Sequence, residues 1–138
     1  MADNPKHVTD EEIKAIAVGI MRKWTSMYNV GNLRLLVDFY APDAKLMAPG
    51  DVTRYGREEI MEGLVRMRKF VASYHPHEPD RVGTIIENEM YYFSAGITCY
   101  NADGEPLYPG KGVFLTKKVD GEFLVYTDCF NYNTDLKK

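Results

Sequence analysis

The sequence has little of several things, and each shortage closes a class of function. Its 138 residues hold two cysteines, Cys99 and Cys129. That is too few for a disulfide scaffold and fits a reducing compartment, so a cytoplasmic protein is expected. The spacing leaves open whether the two lie side by side on adjacent strands. No apolar run is long enough to span a bilayer, so no membrane role is expected. The opening Met-Ala-Asp-Asn-Pro-Lys-His carries no apolar signal stretch. Positive charge is not in excess: the formal net charge is −3, which argues against a nucleic-acid partner. There is no phosphate-cradling glycine loop, and Ser26, Ser73 and Ser94 lack the setting of a nucleophile elbow. Three histidines are present. His75 and His77 share a loop-like His-Pro-His-Glu with no third ligand in view, so no metal or other cofactor is expected.

What is present reads as one domain over 9–133, with tails at 1–8 and 134–138. Thr9-Asp10-Glu11-Glu12 has the form of a capping box. A helix follows to about Tyr28, with Ile13, Ala17, Ile20, Met21, Trp24 and Met27 on one face. Asn29-Val30-Gly31-Asn32 turns the chain, and Asn32 can cap a second helix from Leu33 to Tyr40. Pro42 is expected to stop that helix, and Ala44–Met47 to form a strand. A third helix is expected over 57–73, then a loop through Pro76 and Pro79. Strands are expected at 81–88, 90–100, 107–118 and 122–131, turning at Asn101-Ala102-Asp103-Gly104 and Val119-Asp120-Gly121. Helices first and a strand meander afterwards predict an α+β domain: a curved, mostly antiparallel sheet around three helices, with a pocket between them.

Three stretches resemble a known family. Tyr-Asn-Val-Gly-Asn, then Phe-Tyr-Ala-Pro-Asp-Ala-Lys-Leu, then Tyr55-Gly56-Arg57-Glu58-Glu59-Ile60 look like the opening of the NTF2-like superfamily, and Gly121–Asp128 resembles its last strand. The group includes ketosteroid isomerases, SnoaL-like cyclases and DUF4440 domains, so the resemblance implies a cone-shaped fold more firmly than an activity. Matching Gly121 to the family's turn implies that Leu124, Tyr126, Asp128, Phe130 and Tyr132 face the pocket. The same match turns Lys111, Val113 and Leu115 inward, with Tyr92, Ser94, Gly96, Thr98 and Tyr100. Tyr91, Phe93 and Ile97 then lie on an outer face, suited to pairing two copies as a homodimer.

The family's isomerases need an aspartate base, a tyrosine and a protonated aspartic acid, the worked case behind the general rule of tuned carboxylates. Here the matching positions hold Ala48, Trp24 and Val113, so steroid-type isomerisation is not expected. Two readings remain. One is a non-catalytic module that binds a small apolar ligand or serves association, walled by Trp24, Tyr28, Tyr40, Tyr92, Val113, Tyr126 and Phe130. The other is a SnoaL-type lyase or isomerase with Asp128 as general base and Lys111 or Tyr126 placing the substrate. The missing acids favour the first.

Overall fold

The computed structural model describes residues 7–133. Helix α1, Asp10–Asn29, starts where the capping box places it: the Thr9 hydroxyl accepts from the Glu12 backbone amide at 3.2 Å. Gly31 takes a positive φ of 81°, and the Asn32 side chain accepts from the Leu35 amide. Helix α2, Leu33–Asp38, ends two residues before the expected Tyr40. Tyr40 instead opens strand β1, Tyr40–Met47, and Pro42 lies inside that strand, where the β1–β7 register shifts. An irregular step suits a residue with no N–H to give.

Strand β2, Arg54–Tyr55, leads into α3, Gly56–Arg68, which stops short of the expected Ser73. The segment expected as a loop forms β3, Ser73–Pro76. Then come β4, Arg81–Ile86; β5, Met90–Tyr100; β6, Gly110–Val119; and β7, Glu122–Tyr132. The sheet runs β2-β1-β7-β6-β5-β3, with β4 also on β5. Only β1 and β7 are parallel among the pairs in this sheet. The fold is the expected α+β cone: three helices and a curved, unclosed sheet of seven strands.

Which face points inward differs from the expectation over two strands, and one residue is the cause. The β6–β7 hairpin pairs Thr116 with Val125, but the next pair is Leu115 with Thr127. Tyr126 is the extra residue of a β-bulge. A one-residue slip swaps the two faces of everything paired beyond it. Beyond the bulge Asp128 and Phe130 stay inward as expected, but their β6 partners are Phe114 and Gly112, not Val113 and Lys111. The change carries into β5, where Phe93 pairs Phe114 and Ala95 pairs Gly112.

Tyr91, Phe93 and Ile97 are therefore buried on the concave side, not offered to a second copy. Tyr92 is turned outward with Leu115 as its partner. Val113 is 49% exposed, and Lys111 is outward and bonded to Asn133. Tyr126 leaves the pocket and takes the Lys117 ammonium over its ring, 4.3 Å from the centroid. Cys99 and Cys129 are both free; Cys99 is buried on the inner face, and Cys129 is paired with outward Val113.

Gly112 lets the inner face close. A Cβ there would lie 2.5 Å from the far end of the Phe114 ring, 2.9 Å from the Cys129 carbonyl oxygen and 2.9 Å from Phe130 Cβ. The last two belong to a paired strand and have nowhere to go. Gly112→Ala should therefore cost about 2 kcal/mol or more in chemical denaturation, in the range of overpacked cores; a change within error would show that the strands yield.

Candidate active site

Helix α1 crosses the concave face of the sheet and leaves a hollow of about 590 Å³, counted to include space open to solvent. Its walls are nearly all apolar. Ile20, Met21 and Trp24 come from α1; Phe93 and Ile97 from β5; Phe114 from β6; Val125 and Phe130 from β7; Tyr74 from β3. Concave apolar surface with a few polar groups is the usual form of a small-molecule site.

One ionisable carboxyl lies in this wall. Asp128 is 3% exposed. Its Oδ2 accepts from the Tyr40 hydroxyl at 2.5 Å, and the Tyr40 oxygen accepts from Trp24 Nε1 at 2.9 Å. An indole N–H can only donate, so the Tyr40 proton must point at Asp128. The direction of this relay is thus fixed by chemistry. Tyr40 is fully buried, and burial together with the neighbouring Asp128 carboxylate raises its pKa well above the ordinary phenol value, so it keeps its proton.

Asp128 itself is pushed up to about 6 by burial, against which the Tyr40 bond works in the other direction. Among the described residues no cation offsets the burial, because the expected Lys111 points away. Among the described residues every fully buried side-chain nitrogen or oxygen has a hydrogen-bond partner. Asp128 Oδ1 has none among those residues, so it is not fully buried by them and opens to the cavity that Asp128 lines.

The two threonine hydroxyls in the wall are spoken for. Thr25 donates to the Met21 carbonyl at 2.9 Å and Thr116 to the Leu124 carbonyl at 2.8 Å. The structure thus gathers Trp24, Tyr40, Asp128 and Phe130 of the expected set. Tyr28 is buried behind Trp24, its ring stacked at 4.8 Å and its hydroxyl given to the Val71 carbonyl. Tyr92, Lys111, Val113 and Tyr126 lie elsewhere. At the isomerase positions Ala48 is buried, Trp24 feeds the relay, and the inward β6 residues are Gly112 and Phe114, so no acid appears there under either register.

His75 sits on β3 and His77 just beyond its end, with His77 Nε2 2.7 Å from the Thr98 hydroxyl on the outward face of β5. No group of three or more metal-ligating side chains occurs among the described residues. Phe93, Ile97, Phe114, Val125 and Tyr74 were not anticipated as wall residues. The signal for two of them, Phe93 and Ile97, was there: the odd face of β5 is uniformly apolar, as an inner face should be.

The fold is shared with solved structures of low sequence identity. A protein of unknown function with a cystatin-like fold from Nostoc punctiforme superposes with a TM-score of 0.80 at 12% identity, over 95% of this chain and 98% of that one. A ketosteroid isomerase-like protein from Erwinia carotovora atroseptica gives 0.75 at 18%, over 92% and 100%. An NTF2-like protein with a cystatin-like fold from Novosphingobium aromaticivorans gives 0.73 at 11%, over 88% and 82%. The chain has the NTF2-like, cystatin-like fold. No protein-family model matches the sequence, and no curated protein matches it. No helix among the described residues is long and apolar enough to cross a membrane.

Proposed function

We propose that this cone is a small lyase or isomerase whose general base is Asp128, acting on a largely apolar molecule with an acidic C–H bond. One observation carries the reading: a buried carboxyl, raised to about 6, with one oxygen held by Tyr40 and the other open to an apolar cavity. A base poised near neutral pH is what proton abstraction requires, and strongly perturbed groups in clefts mark functional sites. Water is largely excluded, so Asp128 acts without a competing hydration shell. The Trp24–Tyr40 relay orients it and supplies no proton itself.

Proton exchange at the carbon next to the carbonyl of 2-tetralone, followed by NMR in D2O, tests this. The wild type should accelerate exchange, with the rate rising with pH and half-maximal near pH 6, as the base must be deprotonated. Asp128→Asn should lose roughly 100-fold or more, the usual worth of a positioned base. Equal exchange by Asp128→Asn would sink the proposal. The non-catalytic binding module is then the surviving reading, and the hollow's apolar wall supports it equally.

A further inference from the structure

Asp128 Oδ1 is an acceptor without a donor. The described residues give this carboxyl one hydrogen, on Oδ2 from Tyr40, and no cationic side chain lines the hollow. Nearby protons are already placed: Trp24 Nε1 donates to Tyr40, and the two threonine hydroxyls donate to backbone carbonyls. Asp128 is 3% exposed, and a carboxylate buried that far without a counter-ion is uncommon, because an unpaired charge is costly to take out of water. What Oδ1 lacks is a hydrogen with positive charge behind it.

The rest of the wall suits the same kind of ligand. Trp24, Tyr74, Phe93, Phe114 and Phe130 are among the lining residues. Aromatic ring faces attract cations, and an anion would meet the Asp128 carboxylate as a like charge. The chain uses this attraction elsewhere. Lys23 lies 4.7 Å from the Phe39 ring centre, Lys117 4.3 Å from Tyr126, Lys118 5.2 Å from Phe123 and the Arg68 guanidinium 5.5 Å from Tyr28. None of those four rings lines the hollow, so among the described residues its own rings hold no cation. A small hydrated ion would leave the apolar wall uncovered. A hydrocarbon body bearing one ammonium answers both the wall and the carboxyl.

We propose that the hollow binds the protonated form of a small apolar amine, its N–H on Asp128 Oδ1 and its carbon skeleton against the apolar wall. The inference rests on the reading above that Oδ1 opens to the cavity, and not on proton abstraction. An ammonium there occupies the lone pair that a base would use, so such an amine also blocks the proposed reaction. Of the residues lining the hollow, Asp128 and Tyr74 are the titratable ones, and Tyr40 meets Asp128 from β1. Burial raises the pKa of both phenols, so both stay neutral. Between pH 5 and pH 8 the charge of the site is therefore set by Asp128.

Calorimetric titration with 2-aminotetralin, an ammonium throughout that range, and with its neutral isostere 2-tetralol tests this. At pH 8 the wild type should bind the amine at least tenfold tighter than the alcohol. At pH 5 the amine should weaken about tenfold, since only about a tenth of Asp128 is then ionised, while the alcohol holds steady. Asp128→Asn should bind the two alike at pH 8; it keeps an acceptor for Tyr40, and a thermal melt checks its fold. No amine binding at millimolar concentration, an amine no tighter than the alcohol at pH 8, or an Asp128→Asn that still prefers the amine would overturn the proposal. So would an amine that binds yet leaves 2-tetralone exchange by the wild type untouched. If the amine preference holds but 2-tetralone exchange is unaffected by Asp128→Asn, the cation site stands and the catalytic reading alone falls.

Discussion

Asp128→Asn should make the protein more stable at pH 8 by about 3 kcal/mol, from roughly two pKa units at 1.36 kcal/mol each. The sign follows from the raised pKa. Folded Asp128 titrates at about 6, above its ordinary value of 3.8. The folded state therefore binds this proton more tightly than the unfolded chain does. That contribution is fully present below pH 3.8 and is lost as pH rises through about 6. Asparagine cannot ionise, keeps an oxygen for the Tyr40 hydroxyl, and escapes the loss. The gain over wild type should thus grow between pH 4 and pH 6, level off above, and vanish near pH 3.5. Urea denaturation at four pH values measures it. A variant less stable than wild type at pH 8 would mean that the anion is favoured where it sits. Stability given up for a buried charge is the usual mark of a working site.

Tyr40→Phe should have the opposite effect and nearly the same size. It removes the only donor to Asp128 and the only acceptor of Trp24 Nε1 among the described residues. Losing a bond to a charged group and stranding a buried donor together cost about 2–4 kcal/mol at pH 7. At pH 5, where Asp128 is mostly neutral, the cost should be smaller. The lost bond is also what holds the Asp128 pKa down, so the midpoint of 2-tetralone exchange should move to higher pH. An unmoved midpoint would remove Tyr40 from the relay.

The cone itself was legible because its signals are local. The Thr9 cap, the Gly31 and Gly121 turns and the apolar stripe of α1 each declare themselves within a few residues. Asp128 was legible as an inward carboxyl for the same reason. The opposite wall was not. Faces were counted outward from Gly121 through an unbroken hairpin, and the bulge at Tyr126 adds a residue that no glycine or proline announces. One slip moved Lys111 and Val113 in and Phe93 and Ile97 out. The apolarity of Tyr91, Phe93, Ala95, Ile97 and Cys99 was the correcting signal, and it outweighs a count from a distant turn. Tyr74 was missed for another reason: two prolines nearby suggest a loop, yet edge strand β3 tolerates Pro76 at its end.

Strand β7 sits between β1 and β6 near the middle of the sheet, although it is the last strand among the described residues. During synthesis, then, the helices and early hairpins must wait with an open seam until it emerges from the ribosome. Tyr40 and Asp128, 88 positions apart, meet only when that seam closes. The acid is withdrawn from water in the final act of folding, so the step that completes the sheet is also the one that tightens the hold of Asp128 on its proton.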